Sequence, residues 1–404
     1  MNKKYFYLIF SVVLINYQII FAQNAGNILY RTVTSNDVKV GAERTDQYFP
    51  LLKGKRIAVV ANQTSMIGKV HLVDCLIKAG FDVKKVFAPE HGFRGEAEAG
   101  QQFENYTDKQ TGISVISLYG KDFKPHATDL NDVDIVIFDI QDVGVRFYTY
   151  ISTMHYVMEA CAENKKTFLV LDRPNPNGFY VDGPVLEKEF KSFIGMHPVP
   201  IVHGLTVAEY ALMINGEGWL KNGVKCDLKY VTVDNYNHTY YYILPAKPSP
   251  NLPNMNAVYL YPSLGLFEGT MMSVGRGTEK PFQVVGHPEL KSGTFTFTPQ
   301  SVPETKDPLL KGQKCYGYDL SDFAELFIKN YKQLYLFWIM GAYENVASKD
   351  KFFNSTFDKL AGNAALKKQI MEGKSEEEIK KTWQPGLDNY KKIRRKYLLY
   401  TDFE

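Results

Sequence analysis

Cysteine is scarce in this sequence, with four in 404 residues. They are far apart and form no C-x-x-C pair, which excludes a zinc ribbon, a dithiol redox motif and a small disulfide-rich scaffold. We expect them to be mostly buried free thiols, although four cysteines permit three pairings and export would allow oxidation. They are Cys75, Cys161, Cys226 and Cys315.

Neither sign of charge is in clear excess. Lys and Arg number 47 against 44 for Asp and Glu, so the sequence carries no polybasic footprint for nucleic acid. Apolar residues make up 45% and charged residues 23%, which excludes collagen, a coiled coil and wholesale disorder. At about 150 residues per domain, the length indicates two or three folding units.

Long hydrophobic runs are confined to the N-terminus. Residues 1–22 begin with Lys3 and Lys4, continue through an apolar run and contain no acidic residue. This pattern predicts a secretory signal peptide and an exported protein, periplasmic or secreted. The alternative is a membrane anchor, but Asn16 and Gln18 interrupt the run, which is short for a bilayer span. We expect no stable membrane insertion once the signal is removed.

Several nucleotide-binding and catalytic motifs are absent. The first predicted strand leads into Ala-Asn-Gln-Thr-Ser at residues 61–65, which is neither G-x-G-x-x-G nor G-x-x-x-x-G-K-[ST]. This argues against binding of nucleotide phosphates. The lack of G-x-S-x-G disfavours a serine α/β-hydrolase, and the lack of H-E-x-x-H with unclustered histidines disfavours a zinc hydrolase. We expect neither a cofactor nor a metal.

Short β-branched runs alternate with amphipathic stretches from residue 55 to about residue 233. Near-continuous apolar runs such as residues 135–140 are typical of strands covered on both faces. The alternation predicts an α/β fold with an open, mainly parallel sheet. The predicted strands are residues 56–60, 83–88, 114–118, 135–140, 168–171 and 228–233, and the predicted helices are residues 71–79, 148–163 and 206–215.

A cluster of prolines between residues 245 and 262 predicts a domain boundary, because proline cannot continue a helix or a central strand. We place a catalytic domain at residues 23–255 and a smaller α+β domain at residues 256–404. In the second domain the pattern predicts a strand at residues 294–298 and helices at residues 319–330, 349–360 and 375–383, the last opening with a capping box.

Polar side chains follow four of the predicted strands and precede one helix. The carboxyl ends of parallel strands meet at one edge of a sheet, where ligands bind. We therefore predict a polar substrate pocket there. Its candidate residues are Asn62, Glu90, His91, Arg94, Asp139, Gln141, Arg146, Asp172, Arg173, Asn175 and His203.

Each candidate has a structural alternative. Asp139 and Asp172 are equally suited to capping loops or helices, and the arginines to pairing with them inside the protein. The histidines are as well suited to holding loops as to contacting substrate. Glu90 is the hardest to explain structurally, because it follows a strand and Pro89 on a loop rather than a solvated helix face.

A glycine-rich segment past the proline cluster carries Glu268, Arg276 and Glu279. Glycine allows the backbone to approach a ligand closely. The alternative is an ordinary connection that contains an ion pair. If this segment folds against the strand ends, Glu90 and Glu268 face each other across an interdomain cleft.

Five motifs follow one another along the chain, at residues 88–95, 139–150, 171–176, 248–251 and 267–278. Together they resemble those of the exo-β-N-acetylmuramidases of the NamZ type. The resemblance covers nearly the whole chain beyond the predicted signal peptide. It implies a Rossmann-like N-terminal domain, a smaller C-terminal domain and an active-site cleft between them. It also implies release of N-acetylmuramic acid from the non-reducing end of peptidoglycan fragments, in cell-wall turnover or recycling.

Glycoside hydrolysis requires a proton donor and an opposing carboxylate or other nucleophile. We assign these roles to Glu90 and Glu268, with Glu279 as the reserve. The lactyl carboxylate of muramic acid predicts an arginine partner, for which Arg94, Arg146, Arg173 and Arg276 are candidates. The choice among retaining, inverting and substrate-assisted mechanisms stays open, as does the oligomeric state. The rival functions are a non-catalytic cell-wall sugar-binding protein and an esterase or amidase acting on muropeptides.

Overall fold

The computed structural model describes residues 29–95 and 100–404. The predicted signal peptide at residues 1–22 lies outside these ranges. Among the described residues, no helix combines the length and the apolar character that a bilayer span requires.

A seven-stranded sheet forms the centre of the larger N-terminal domain, with six parallel strands and one antiparallel edge strand. The mainly parallel sheet is confirmed, and the six predicted strands match their observed bounds to within two residues. In spatial order the strands are Asp227–Val231, Thr167–Leu171, Ile135–Asp139, Arg56–Ala61, Asp82–Ala88, Ser114–Ser117 and Tyr106–Thr107.

Both faces of this sheet are buried. Val60 and Phe138 belong to one apolar core, whereas their chain neighbours Val59 and Ile137 belong to another on the opposite face. This alternation follows from the two-residue side-chain period of a strand. It explains why the central strands have near-continuous apolar sequences.

Four helices belong to this domain, and three of them match the predictions. Thr206 caps its helix and forms a reciprocal capping box with Glu209. The fourth, Thr45–Leu52, was not predicted. The helices are Thr45–Leu52, Leu72–Lys78, Tyr150–Glu163 and Val207–Gly216, and the short strand pairs are Arg31–Val33 with Tyr240–Tyr242 and Met66–Ile67 with Val70–His71.

The expectation that the proline cluster excludes a helix is wrong at its far end. Residues Met255–Leu264 form a helix that contains Pro262. Proline lacks the N–H that would bond the carbonyl of Val258, four residues earlier. Asn177 supplies the missing donor, since its Nδ2 lies 3.1 Å from that carbonyl oxygen. A side chain from the first domain therefore makes the proline tolerable.

The smaller C-terminal domain contains an antiparallel sheet of three strands, Val284–His287, Cys315–Asp319 and Phe295–Phe297, in that spatial order. The predicted strand is confirmed at Phe295–Phe297. The helical segments that follow are Ser321–Phe323, the π-helical Ala324–Ile328, Lys329–Tyr331, Phe337–Asn345, Phe357–Ala361, Ala365–Met371 and Glu376–Arg394.

One predicted helix of this domain, residues 349–360, is wrong. The chain forms a short turn at Lys349–Lys351 and a helix only at Phe357–Ala361. Between them Asn354 donates its backbone N–H to Gly269 O at 2.9 Å and its side chain to Glu268 O at 3.1 Å. Tertiary pairing with the segment that carries Glu268 has overridden the helical pattern.

The C-terminus folds back onto the larger domain. Ser375 caps the last helix with Glu378, as predicted, but the helix continues to Arg394. The buried guanidinium of Arg394 donates to Gly204 O and pairs with Asp402. The four cysteines are free, and three of them are buried, as expected.

Candidate active site

Glu90 lies just beyond the end of the strand Asp82–Ala88, in a tight turn. Gly92 N–H donates to Pro89 O at 3.0 Å, and His91 has a φ of 73°. A positive φ at the third position is the pattern of a type II turn and is uncommon for a residue other than glycine. Such strained conformations concentrate at functional sites. The turn places Glu90, half-buried, at the mouth of a cleft.

Both carboxylate oxygens of Glu90 are bonded. Gly100 N–H donates to Oε1 at 2.9 Å, and Thr149 Oγ1 donates to Oε2 at 2.9 Å. Burial, together with the charge of this carboxylate, raises the pKa of Tyr119, so the phenol lies near Glu90. Because a hydroxyl can donate or accept, Thr149 can hold Glu90 whether or not it carries a proton.

The cleft is partly open to solvent and is lined from both domains. Its walls are largely aromatic. The ring centroids of Tyr148 and Tyr261 lie 5.9 Å apart, and those of Tyr261 and Phe282 lie 4.9 Å apart. The lining residues are Glu90, His91, Phe147, Tyr148, Thr149, Tyr150, Ser249, Asn251, Leu252, Tyr261, Arg276 and Phe282.

Glu268 is linked to the cleft by its ion pair with Arg276, which lines the cleft. It lies on the 3-10 turn Gly265–Gly269, and Arg276 Nε and Nη2 both donate to its Oε1, at 3.1 and 2.7 Å. The guanidinium also stacks over Phe282. Burial lowers the pKa of Arg276, but the negative charges of Glu268 and Glu90 outweigh burial and raise it. Arg276 therefore lies in the field of both carboxylates.

Among the described residues, Arg276 is the one candidate arginine that lines the cleft. Arg94 pairs with Asp74 and Asp108, at 3.2 and 3.0 Å. Arg173 pairs with the buried Asp139 at 2.6 Å. Arg146 is fully buried and donates to the carbonyl oxygens of Pro184, Val199 and Leu360.

The other predicted pocket residues lie in buried networks next to the cleft. Gln141 donates to Asp142 O and Pro174 O, and Asn175 donates to Leu205 O. Asn62 accepts from Thr64, and His203 accepts from the Leu205 N–H. These contacts hold the strand-end loops. Of the predicted residues at the strand ends, Glu90 and His91 line the cleft itself.

Asp172 and Glu279 lie apart from the cleft lining for different reasons. Asp172 is fully buried and accepts hydrogen bonds from Ala208 N–H and the Tyr400 hydroxyl. Burial raises its pKa to about 7, and these bonds oppose the increase. Glu279 is exposed. Neither has a place beside Glu90.

The sequence prediction missed several residues of this site. Thr149, Asn251 and Tyr261 line the cleft, and Tyr119 lies in the electrostatic field of Glu90. Asn251 is buried, and its Nδ2 has no hydrogen-bond partner among the described residues. Thr149 and Asn251 fall inside the family motifs, whereas no local pattern marks Tyr119.

Comparison with known proteins agrees with this architecture. The family description "Exo-beta-N-acetylmuramidase NamZ, N-terminal" matches residues 57–256, and its C-terminal counterpart matches residues 259–400. The chain belongs to the NamZ exo-β-N-acetylmuramidase family. The resemblance inferred from the motifs is thereby confirmed.

Relatives of this NamZ family chain extend over most of its length. It is 39% identical over 384 residues to the peptidoglycan β-N-acetylmuramidase NamZ of Bacillus subtilis strain 168, covering 87% of this chain and 89% of that protein. Two crystal structures of DUF1343 family proteins from Bacteroides fragilis NCTC 9343 share its fold. One is 47% identical with a TM-score of 0.85, covering 91% of this chain and 99% of the other. The second is 28% identical with a TM-score of 0.73, covering 90% and 99%.

Proposed function

We propose that this protein is an exo-acting β-N-acetylmuramidase, which hydrolyses the glycosidic bond that joins a non-reducing terminal N-acetylmuramic acid to the rest of a peptidoglycan fragment. The family and the peptidoglycan-directed relative support a glycosidase. The observation that carries the proposal is the meeting of Glu90, from the first domain, with the Arg276–Glu268 pair, from the second, around one aromatic cleft.

In this mechanism Glu90 donates a proton to the oxygen of the leaving sugar as the bond to the anomeric carbon breaks. Thr149 and the Gly100 N–H keep its carboxyl group in position. Glu268, held by Arg276, is the opposing negative charge for the oxocarbenium-like centre. A water molecule then bonds the anomeric carbon and returns a proton to Glu90, which completes the hydrolysis. The acetamido group of the substrate stays an alternative nucleophile.

Arg276 is the arginine proposed to select muramic acid. The lactyl carboxylate is the chemical group that distinguishes this sugar from N-acetylglucosamine, and guanidinium donors match carboxylates well. Arg94, Arg146 and Arg173 have their donors engaged elsewhere, whereas Arg276 reaches the cleft. Asn251 Nδ2 is a further donor for a substrate acceptor.

Leaving-group dependence tests the two carboxylates separately. A proton donor matters most when the leaving group is a poor one, so Glu90→Gln should lower kcat on the natural disaccharide by about 1000-fold and much less on a muramyl glycoside of an acidic phenol. Glu268→Gln should impair both substrates. Glu279→Gln, at an exposed carboxylate, serves as the control. Equal losses on both substrates in Glu90→Gln would contradict the proton-donor role.

Product analysis separates this function from its rivals. The wild-type protein should release free N-acetylmuramic acid from the non-reducing end. A sugar-binding protein would show saturable binding without product, and an esterase or amidase would release an acid or a peptide instead of the sugar. Either result would overturn the proposal.

We further propose that the protein is exported and acts in cell-wall turnover or recycling outside the cytoplasm. The support is the residue pattern of positions 1–22. Mass spectrometry of the protein purified from fractionated cells should find a chain that lacks those residues. A full-length chain in the cytoplasmic fraction would contradict export.

A further inference from the structure

Four aromatic side chains form a surface beside Glu90, which we call the aromatic platform: Tyr119, Phe123, Tyr156 and Phe193. The Phe123 and Phe193 centroids lie 4.3 Å apart, and Tyr119 lies 6.1 Å from Phe193. Tyr156 and Phe193 lie 6.4 Å apart with their planes within 15°. All four side chains stay partly exposed, so the platform lies outside the fully buried core.

Tyr119 connects this platform to the candidate proton donor. It follows the strand Ser114–Ser117, and its chain neighbour Leu118 bonds Ala88 O, so it emerges next to the turn that carries Glu90. Its ring lies close enough to Glu90 to be in the electrostatic field of that carboxylate. Burial and the charge of Glu90 raise the pKa of Tyr119, so the hydroxyl keeps its proton.

One face of a helix connects the platform to the cleft. Thr149, Ser152 and Tyr156 are spaced i, i+3 and i+7 and therefore lie on one side of the helix Tyr150–Glu163 and its N-cap. Thr149 bonds Glu90, Ser152 Oγ donates to Phe193 O at 2.7 Å, and Tyr156 joins the platform. The row extends roughly 10 Å from the cleft along the helix axis.

Phe193 itself lies in a tight turn. Ser192 and Gly195 exchange both backbone hydrogen bonds, at 2.8 and 3.0 Å, so Phe193 and Ile194 occupy the tip. With its carbonyl held by Ser152, this partly exposed ring is fixed rather than free to collapse inward. A preorganised ring costs little conformational entropy when it binds a ligand.

We propose that the aromatic platform binds the N-acetylhexosamine on the leaving-group side of the scissile bond. This inference rests on the proposed function: a proton donor lies beside the oxygen that leaves, so the sugar attached to that oxygen extends past Glu90. Tyr119 and the helix face carry the platform in that direction. The apolar C–H face of a pyranose suits stacking on aromatic rings.

The test compares two substrates that differ in the leaving group. One is the disaccharide of N-acetylmuramic acid β-linked to N-acetylglucosamine, and the other is N-acetylmuramyl β-fluoride, whose leaving group has no ring to stack. Phe193→Ala should lower the kcat/KM for the disaccharide, divided by that for the fluoride, roughly tenfold. The double variant Phe193→Ala with Tyr156→Ala should lower this ratio further. Tyr331→Ala, an exposed tyrosine in the C-terminal domain, is the matched control.

An equal fall in kcat/KM for both substrates, or no fall for either, would overturn the proposed role of the platform. A binding measurement keeps this result separate from the proposed function. Saturation-transfer NMR of methyl β-N-acetylglucosaminide should show contacts from one face of the sugar in the wild type and lose them in Phe193→Ala. If no muramyl substrate is hydrolysed, the proposed function fails. The NMR result alone then decides whether the platform binds the sugar.

Discussion

Thr149 Oγ1 donates a hydrogen bond of 2.9 Å to Oε2 of Glu90, although Thr149 occupies the N-cap of a helix. A threonine at this position ordinarily accepts a hydrogen bond from the first turn of its helix. Here no such side-chain bond forms: the backbone of Thr149 is helical rather than extended, and its hydroxyl bonds the carboxylate instead. The Thr149 hydroxyl thus bonds a residue of the site instead of capping its own helix, as occurs at functional positions.

Thr149→Val should therefore lower kcat on the disaccharide by about 10- to 100-fold, because loss of the positioning contact misplaces the proton donor. KM and the thermal midpoint should change little, since the hydroxyl does not cap the helix. Thr149→Ser should restore the rate. The matched control is Thr153→Val, on the same helix, whose buried hydroxyl has no partner among the described residues. A fall in stability equal to the fall in rate would indicate a merely structural role.

Arg276 substitutions should change the choice of sugar. Arg276→Ala should reduce the ratio of kcat/KM for a muramyl glycoside over its N-acetylglucosaminyl counterpart by about 10- to 100-fold, the range expected when charged hydrogen bonds are lost. The N-acetylglucosaminyl substrate lacks the lactyl group, so the ratio removes effects that pass through Glu268. Arg56→Ala, in a surface ion pair, is the control. If kcat/KM falls equally for both substrates, Arg276 acts through Glu268 alone.

Asp172 should make stability depend on pH. Its pKa rises from 3.8 to about 7 on folding, so between these values the native state holds a proton that the unfolded chain has released. Stability attributable to Asp172 therefore falls as pH rises through this window, by on the order of 4 kcal/mol in total. Asp172→Asn should remove that slope.

Urea denaturation of the wild type and of Asp172→Asn at several values between pH 4 and pH 8 measures this effect. The difference between the two unfolding free energies should change across the window. Asp388→Asn, at an exposed aspartate, should run parallel to the wild type. Parallel curves for Asp172→Asn as well would show that another group titrates.

Asn177 and Pro262 should be energetically coupled. Asn177→Ala removes the donor to the buried carbonyl of Val258 and should cost about 1–3 kcal/mol of unfolding free energy. In a Pro262→Ala background, the new N–H can bond that carbonyl, so the same change should cost less. A double-mutant cycle by urea denaturation measures the coupling. Equal costs in the two backgrounds would contradict the compensation.

Much of the fold is readable from local pattern. The central parallel strands are visible because burial on both faces requires continuous apolar runs, and Ser375 and Thr206 mark helix starts through contacts within three residues. Prediction failed where distant residues intervened. Asn177 permits the helix through Pro262, and contacts with the Glu268 segment break the helix predicted around Asn354.

The site divides in the same way. Sequence alone determined that Glu90 follows a strand and that Glu268 and Arg276 share a glycine-rich segment, since these are facts of chain order and residue type. Only the tertiary structure decided which polar groups reach the cleft. Arg146 and Arg173 have the same chemistry as Arg276, but their donors are engaged inside the fold, whereas Arg276 lies beside Glu268 and within the field of Glu90. The physical reason is that a charged side chain binds whatever partner the folded chain brings near, and the partners of Arg146 and Arg173 are far away in sequence.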